Sequence, residues 1–290
     1  MTITSANSNT FAATETLAGN LVKHVYAYGP VAVAFSGGVD SAVVARAAVE
    51  AFGDKAVAVT AVSHSLATSE LQIARSEAVS IGIRHVAVAT NEFERPEYRA
   101  NTGNRCFFCK DTLYRITASK LSDLGVSVMV NGANTDDLGD HRPGMKAAQE
   151  HHVRSPLIEV GINKSQVRQL ARFWSLSVAE KPASPCLSSR IAYHVEVTRE
   201  RVHRVERAEA FLHALTGLNQ LRVRYEADEM ARIEVPLESV SHLTTDAVRM
   251  AVTVRLKELG FRRVTLDLEG FRSGSLNDVL PMVQLGDAAE

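Results

Sequence analysis

The stretch Ser36-Gly37-Gly38-Val39-Asp40-Ser41 lies between two segments of different periodicity. Residues 31–35, VAVAF, form a short apolar run, which predicts a buried parallel strand. Apolar residues then recur at helical spacing, at Val43, Val44, Ala47 and Ala48, which predicts a helix directly after the glycines. A strand that turns through glycines into a helix directs backbone N–H groups and a positive helix end at an anion. The sequence therefore predicts a phosphate-binding loop, in which Ser36 and Ser41 add hydroxyl donors.

No lysine follows these glycines, so the loop is not the Walker type that holds the β- and γ-phosphates. An ordinary strand-to-helix turn is the simpler alternative, but the strand before and the helix after favour a phosphate site. The hexapeptide resembles the pyrophosphate loop (PP-loop) of the ATP pyrophosphatase superfamily, which includes NAD synthetase, GMP synthetase and the tRNA-thiolating enzymes. That resemblance implies cleavage of ATP between its α- and β-phosphates and activation of a substrate as its adenylate.

Composition describes an ordinary globular protein without a membrane span. The 290 residues exceed one average domain, and 46% hydrophobic with 22% charged residues allow a sizeable core. The net charge of -1 gives no global attraction to nucleic acid. No apolar run approaches the length that crosses a bilayer, and the N-terminus lacks the order of a signal peptide. We therefore expect a cytoplasmic protein with a disordered tail at residues 1–15.

Strand and helix patterns alternate through the first part of the chain. This alternation predicts a doubly wound parallel α/β sheet in residues 16–180, with ligands at the carboxyl ends of the strands. The predicted strands are residues 31–35, 56–62, 85–89 and 127–131. The polar residues 90–105 include a proline and are predicted to form a loop.

The alternation of strand and helix patterns changes after residues 181–185, KPASP, whose prolines interrupt regular secondary structure and predict a hinge. Beyond it, helix and strand patterns follow in the order α-β-β-α-β. Residues 181–290 are therefore predicted to form a second, smaller α+β domain.

The three cysteines are an odd number and too few for a disulfide framework, so thiol chemistry or metal binding is favoured. Cys106 and Cys109 lie three positions apart at a predicted helix start, where both face one way and can bind one metal or cluster. A redox disulfide or burial as small hydrophobes remains an alternative. Cys186 follows the hinge in P-C-L-S-S-R and suits a nucleophile, with Arg190 placed to lower its pKa. A structural cysteine is the alternative there.

Acidic residues follow the fourth predicted strand. Asp136, Asp137 and Asp140 could hold Mg²⁺ on the ATP phosphates, since Mg²⁺ prefers one or two carboxylates together with phosphate oxygens. A solvated acidic loop is the alternative.

Charged residues in the second domain supply further candidates. Arg222 and Arg224 alternate with a valine, so a strand would place both guanidinium groups on one face, where they suit a phosphate monoester. Glu209 is a candidate for acid–base catalysis or for metal binding. A solvated sheet face and an ordinary surface carboxylate are the respective alternatives.

Taken in order, five segments resemble the LarE family of ATP-dependent sulfur transferases. They are S-G-G-V-D-S, N-R-C-F-F-C-K, N-T-D-D-L-G-D-H-R-P-G, S-P-C-L-S-S-R, and R-V-R followed by R-I-E-V. The resemblance implies that ATP adenylylates the carboxylates of pyridinium-3,5-biscarboxylic acid mononucleotide, which sulfur then converts to thiocarboxylates for the nickel-pincer nucleotide cofactor. It also implies that Arg222 and Arg224 bind the substrate phosphate, and that the protein is a homo-oligomer, a hexamer.

Two versions of the sulfur step follow from that resemblance. In one, the thiol of Cys186 attacks the adenylate and is sacrificed, leaving dehydroalanine. In the other, Cys106, Cys109 and Cys186 bind a [4Fe-4S] cluster whose fourth iron holds a sulfide from an external sulfide source. The presence of three cysteines favours the cluster version.

Three other functions compete with the sulfur transferase. A tRNA thiolase also combines this loop with cysteines, but the net charge does not favour it. An amide-forming ligase of the NAD synthetase type leaves the cysteines without a role. A non-catalytic nucleotide-binding module is the remaining class.

Overall fold

A computed structural model of the chain describes residues 3–138 and 143–272. Its strands are β1 Val31–Ala34, β2 Val57–Val62, β3 Arg84–Ala89, β4 Val128–Val130, β5 Arg222–Glu226, β6 Met230–Glu234 and β7 Arg263–Leu266. Its α-helices are α1 Ile3–Tyr26, α2 Val39–Phe52, α3 Thr68–Ile81, α4 Pro96–Arg99, α5 Arg105–Ala118, α6 Leu121–Leu124, α7 Pro143–Glu150, α8 Pro156–Glu159, α9 Lys164–Phe173, α10 Arg199–Thr216, α11 Val240–Leu243 and α12 Asp246–Glu258. None of the helices in these ranges is long and apolar enough to cross a membrane.

The described residues form two compact units. One contains the chain up to Arg95 together with Asn104–Pro185, and the other contains Pro96–Gly103 and the chain from Cys186 onward. The change of unit after Pro185 falls at the end of the hinge that the sequence predicted at residues 181–185. The inclusion of Pro96–Gly103 in the second unit was not predicted.

The first unit is a doubly wound α/β layer structure, as the sequence predicted. Its four described strands are parallel in the order β3-β2-β1-β4. Successive side chains of a strand point to opposite faces. Val31 and Val33 accordingly pack against α1, α2 and α9, whereas Ala32 packs in a second cluster with residues of α5 and α7.

The helix α1 begins at Ile3, within residues 1–15, the segment for which the sequence predicted a disordered tail. Residues 3–15 contain neither glycine nor proline and include several alanines, so nothing interrupts the helix that the buried Leu21 and Val25 anchor. Thr16 Oγ1 donates to the carbonyl oxygen of Ala12 at 2.9 Å, one helical turn closer to the N-terminus.

The second unit is an α+β fold with a three-stranded sheet among its described residues. β5 pairs antiparallel with β6, and β6 pairs parallel with β7. Residues 96–103, within the predicted loop, contain the helical turn α4. The phenol of Tyr98 donates to Ser188 Oγ at 2.8 Å, and Asn101 Nδ2 donates to the carbonyl oxygens of Ile191, Ala192 and Val195 at 3.2, 2.8 and 3.1 Å. These bonds attach the segment to this unit, and sequence periodicity could not reveal them.

An ion cluster fixes α1 to the edge of the first sheet. Arg154, which bridges to β4, donates through Nε to Glu159 Oε1 at 2.9 Å, and Tyr28 donates to Glu159 Oε2 at 2.7 Å. The hydrogen bonds from Arg154, and then those from Tyr28 and His24, hold the pKa of Glu159 at about 2, below its ordinary value of 4.5.

Replacing this carboxylate tests the cluster. A carboxyl group with a depressed folded-state pKa stabilises the fold above its unfolded pKa and loses that effect as pH falls through the folded pKa. We expect Glu159→Gln to lower the free energy of unfolding near neutral pH by about 1–2 kcal/mol, since the pair is partly solvent-screened. The difference from wild type in urea unfolding should shrink as pH falls from 4.5 towards 2. Glu150→Gln, at an exposed helical pair, is the control and should change stability by less than about 0.5 kcal/mol. A constant difference across that pH range would contradict the prediction.

Candidate functional site

The predicted phosphate loop joins β1 to α2 at the carboxyl edge of the sheet. Gly37 has φ +69°, in the left-handed region that glycine adopts most readily. Gly38 is the N-cap of α2, and the first-turn N–H groups of a helix have no intrahelical partner. The loop therefore has the backbone form of an anion site, with the positive end of α2 directed at the ligand position.

The two loop serines brace the turn internally. Ser41 Oγ accepts from the backbone N–H of Ser36 at 3.2 Å and donates to the carbonyl oxygen of Gly38 at 3.0 Å. Ser36 Oγ accepts from the N–H of Gly38 at 3.3 Å and lies 3.2 Å from Ser41 Oγ. These bonds within the loop define its shape, and the role of both hydroxyls as phosphate donors stays a prediction.

Close packing surrounds the loop on two sides. A Cβ atom on Gly37 would lie 2.8 Å from Cα of Ala74 in α3. A Cβ atom on Gly132, in the segment after β4, would lie 2.8 Å from the backbone nitrogen of Ser41. Gly132 was not predicted as a site residue. Its position after a strand that ends at the same sheet edge was the available signal.

Asp40 and the acidic segment after β4 meet at this edge. Asn134 Nδ2 donates to Asp40 Oδ1 at 3.1 Å, which joins the segment to the start of α2. Asp136 Oδ2 accepts the backbone N–H of Lys164 at 3.3 Å. Asp137 Oδ2 accepts from the N–H of Asn134 at 3.0 Å and so completes a capping box.

The predicted magnesium carboxylates therefore have different surroundings. Asp136 lies with Asp40 beside Lys164, whereas Asp137 caps the short 3-10 turn that carries it. Asp140 lies outside the described residues. Asp40 and Asp136 are oxygen donors of the type and number that Mg²⁺ prefers beside phosphate oxygens.

Two lysines that sequence reasoning missed reach the loop region. Lys164 Nζ pairs with Asp40 Oδ2, and Lys181 Nζ lies 3.4 Å from the carbonyl oxygen of Gly37 and 2.6 Å from Glu70 Oε2. Lys164 follows Asn163, which forms a capping box with Gln166 at the start of α9. The N-x-x-Q pattern predicts the start of a helix, but the sequence alone could not show that this helix begins beside the loop.

Cys106 and Cys109 are the second and fifth residues of α5, three positions apart. Cys106 is exposed, Cys109 is half-buried, and all three cysteines of the chain are thiols. α7 packs along this helix, where a Cβ on Gly144 would lie 3.2 Å from Lys110 Cγ and 3.9 Å from the carbonyl oxygen of Cys106. Within residues 3–138 and 143–272, no group of three or more His, Cys, Asp or Glu side chains is assembled to hold a metal ion.

Cys186 is the N-cap of a 3-10 turn, Leu187–Arg190, in the second unit. Arg190 Nη1 donates to the carbonyl oxygen of Cys186 at 2.9 Å, and Arg190 Nε donates to Glu209 Oε1 at 3.1 Å. Glu209 Oε1 also accepts the backbone N–H of Val223 at 3.0 Å. Arg190 thus holds the backbone of the cysteine turn, and Glu209 is the buried anion that anchors it.

The two predicted phosphate-binding arginines differ in their surroundings. Arg224 is buried, donating to Glu234 Oε2 at 2.7 Å and to the carbonyl oxygen of Ser189 at 3.2 Å. Arg222 is half-buried and lies over the ring of Phe271, 5.3 Å from its centre. Burial, followed by the charge of Arg190, lowers the pKa of Arg222 to about 10. Arg190 with Glu209, and Arg224 with Glu234, each form a buried ion pair, and the charges of both pairs act on Arg222.

Two glycines of the first unit, Gly37 in the loop and Gly19 in α1, allow a matched pair of alanine substitutions. Gly37→Ala should lower the free energy of unfolding by about 2 kcal/mol, because alanine is strained at this φ and its Cβ overlaps α3. Gly19→Ala, in α1 with open space around the added Cβ, should raise stability by about 0.5–1 kcal/mol. Urea unfolding of both variants measures the difference. Equal effects of the two substitutions would show that packing at Gly37 does not shape the loop.

Known proteins are similar to this chain over most of its length. Residues 12–102, which include the phosphate loop, match the asparagine synthase family. An uncharacterized Synechocystis sp. protein is 47% identical over 248 residues, 86% of this chain and 92% of that protein. Pyridinium-3,5-bisthiocarboxylic acid mononucleotide synthase of Lactiplantibacillus plantarum is 36% identical over 264 residues, 89% of this chain and 93% of that enzyme. The α/β unit is thus a PP-loop ATP-using domain, and the chain belongs to the family of this synthase, the LarE family.

Proposed function

We propose that this protein is an ATP-dependent sulfur transferase that acts on pyridinium-3,5-biscarboxylic acid mononucleotide. The observation that carries the proposal is the 36% identity to the bisthiocarboxylic acid mononucleotide synthase, which spans 89% of the chain and both of its units. The reaction needs a site for pyrophosphate, a carrier of sulfur and a site for the substrate phosphate. The 36–41 loop would bind pyrophosphate and the cysteine thiols would supply the sulfur carrier. Arg222 and Arg224, called the arginine site below, would bind the substrate phosphate.

The activation step follows from the loop. A ring carboxylate oxygen attacks the α-phosphorus of ATP, the α–β phosphoanhydride bond breaks, and pyrophosphate leaves. Backbone N–H groups at the start of α2 would stabilise the developing charge on that leaving group. Mg²⁺ bound through Asp40 and Asp136 would neutralise further phosphate charge. The products are the acyl adenylate and pyrophosphate.

The sulfur step replaces AMP at the activated carbon. By resemblance to cluster-binding members of the family, Cys106, Cys109 and Cys186 would hold a [4Fe-4S] cluster, since thiolates are its usual ligands. When bound, the cluster would carry the sulfide that enters the product. Arg190 and Glu209 would keep the Cys186 turn in place through the carbonyl bond described above.

A sacrificial route is the alternative for the same substrate. The Cys186 thiolate would attack the adenylate and expel AMP to give a thioester. Loss of the Cα proton and cleavage of the Cβ–S bond would then release the thiocarboxylate and leave dehydroalanine. The position of Cys186 at the N-cap of a turn, half-buried and held through its carbonyl, is compatible with this route as well.

Pyrophosphate release tests the substrate class. The purified protein with Mg²⁺ and ATP should release pyrophosphate when the pyridinium mononucleotide is added, and not when tRNA or ammonia is added. Release with tRNA would indicate a tRNA thiolase, and release with ammonia an amide ligase. ATP binding without release under any of these conditions would indicate a nucleotide-binding module.

Iron content tests the sulfur carrier. Protein purified without oxygen should be brown and contain about four irons per chain, the count of this cluster type. Cys109→Ala should lose the colour and the iron, whereas Ser119→Ala, at the C-cap of the same helix, should keep both. A colourless wild-type protein after anaerobic reconstitution, with dehydroalanine at position 186 after turnover, would identify the sacrificial route instead.

The arginine site has its own kinetic signature. Arg222→Met should raise the KM for the mononucleotide at least about tenfold, the effect of losing a charge-assisted hydrogen bond, and leave the KM for ATP unchanged. Exposed Arg207 on α10 provides the control, and Arg207→Met should alter neither constant. Equal KM values for Arg222→Met and wild type would remove Arg222 from the substrate site.

A further inference from the structure

A threonine hydroxyl of β2 holds the peptide that leads into the 36–41 loop. Thr60 Oγ1 donates to the carbonyl oxygen of Phe35 at 2.7 Å, and the backbone N–H of Phe35 donates to the carbonyl oxygen of Val59 at 2.8 Å. Phe35 directly follows β1, and both Phe35 and Thr60 are buried. β2 therefore fixes both backbone polar groups of the residue at which the chain leaves the sheet.

His85 on β3 contacts the same hydroxyl group. Its Nε2 atom lies 2.8 Å from Thr60 Oγ1, and its ring packs edge-on against that of Phe35, with ring centres 5.9 Å apart. β3 is the parallel neighbour of β2, so the sheet itself holds the imidazole beside Thr60. Three adjacent strands thus meet at the entrance to the loop.

The number of hydrogens on the hydroxyl decides which group donates. A hydroxyl group has one hydrogen and the Phe35 carbonyl oxygen can only accept, so Thr60 gives its hydrogen to Phe35 and takes one from His85. His85 is therefore protonated at Nε2. Burial, followed by the charge of Arg75, lowers the pKa of His85 below its ordinary value of 6.5, so the ring is neutral near neutral pH.

The peptide between Phe35 and Ser36 carries this direction into the loop. Because the peptide is planar and trans, a carbonyl held towards β2 directs the N–H of Ser36 to the opposite side. That N–H donates to Ser41 Oγ at 3.2 Å, and the Ser41 hydroxyl donates to the carbonyl oxygen of Gly38 at 3.0 Å. Gly38 is the N-cap of α2, so the bonds that begin at β3 end where that helix begins.

These bonds form one relay in which every group donates in the same direction. The members of the relay are, in order, His85 Nε2, the Thr60 hydroxyl, the 35–36 peptide, the Ser41 hydroxyl and the Gly38 carbonyl. Hydrogen bonds in such a series polarise one another, so each donation strengthens the next. The last acceptor shares its peptide with the N–H of Val39, one of the first-turn groups that have no intrahelical partner and face an anion.

We propose that Thr60 and His85 are positioning residues for pyrophosphate, which act on the 36–41 loop through this relay. The inference rests on the proposed function, in that the loop binds the pyrophosphate portion of ATP. Without the two donors, the 35–36 peptide can rotate and present its oxygen, instead of its N–H, to Ser41. The Ser41 hydroxyl would then donate to that oxygen and leave Gly38, which removes the brace at the start of α2.

Pyrophosphate binding to the full-length protein, measured by calorimetry with Mg²⁺, tests the relay. Thr60→Val keeps the side-chain shape and removes the hydroxyl, and it should weaken binding about fivefold, the effect of one hydrogen bond. Thr60→Ser should restore the wild-type affinity. Thr265→Val, which removes a hydroxyl bonded to the carbonyl oxygen of Ala231 in the second unit, is the control and should bind as wild type. Wild-type affinity in Thr60→Val would overturn the proposal.

A double-mutant cycle separates a relay from two independent structural effects. His85→Leu should weaken pyrophosphate binding several-fold, and His85→Gln, which retains an N–H donor, should recover most of the loss. In the Thr60→Val protein, His85→Leu should cause no further loss, because the relay is already interrupted. Additive losses from the two substitutions would count against the relay and overturn the proposal.

NMR of the histidine ring nitrogens in the wild-type protein needs no variant and decides the question if a variant fails to fold. His85 should carry its proton on Nε2, and pyrophosphate should shift the resonance of that proton without touching the ring. His213, whose Nδ1 bonds the carbonyl oxygen of Leu218 in the second unit, should not shift. A bond that is merely structural would leave the His85 resonance unchanged, and that result would overturn the inference.

The outcomes also distinguish the inference from the proposed function. If the wild-type protein binds neither ATP nor pyrophosphate, the proposed function fails and the inference fails with it. If it binds both, and neither the His85 resonance nor the affinity of Thr60→Val changes, only the inference about Thr60 and His85 fails.

Discussion

Steric exclusion at two glycines governs the loop between β1 and α2. There is no room for a Cβ on Gly37 against α3, nor for one on Gly132 against the backbone of Ser41. Backbone from three separate segments can therefore approach within contact distance at the carboxyl edge of the sheet. An anion site made of N–H groups depends on this approach, since a side chain at either position would push the segments apart.

Charge is distributed differently in the two units. In the first, Asp40 and Lys164 are paired at a partly exposed edge, where partners can exchange at modest cost. In the second, Arg190 with Glu209, and Arg224 with Glu234, are buried ion pairs. Loss of one partner from a buried pair leaves an uncompensated charge, so such pairs hold one arrangement of the chain. The cysteine turn and β5 are attached to this fixed framework through the bonds of Arg190 and Glu209.

Much of the fold could be predicted from the sequence, because its strands and helices show the apolar patterns typical of such elements. The short apolar run of β1 and the helical pattern of α2 both lie where the sequence predicted them, as does the α-β-β-α-β order of the second unit. For residues 1–15 the polar composition predicted a disordered tail, whereas α1 begins at Ile3, and residues 3–15 contain neither glycine nor proline. Pro96–Gly103 was read as a loop, because its attachment depends on Tyr98 and Asn101, whose partners lie far along the chain.

The sequence by itself determined the phosphate loop, the parallel sheet behind it and the family, because each depends on local residue order. Only the tertiary structure decided which charges meet. In the folded chain Lys164 pairs with Asp40, and Asp137 caps a 3-10 turn. Arg190 donates to the carbonyl oxygen of Cys186 and to Glu209. The reason is physical: hydrogen bonds and ion pairs act over a few ångströms, and residues far apart in sequence come within that range only when the sheet and helices pack.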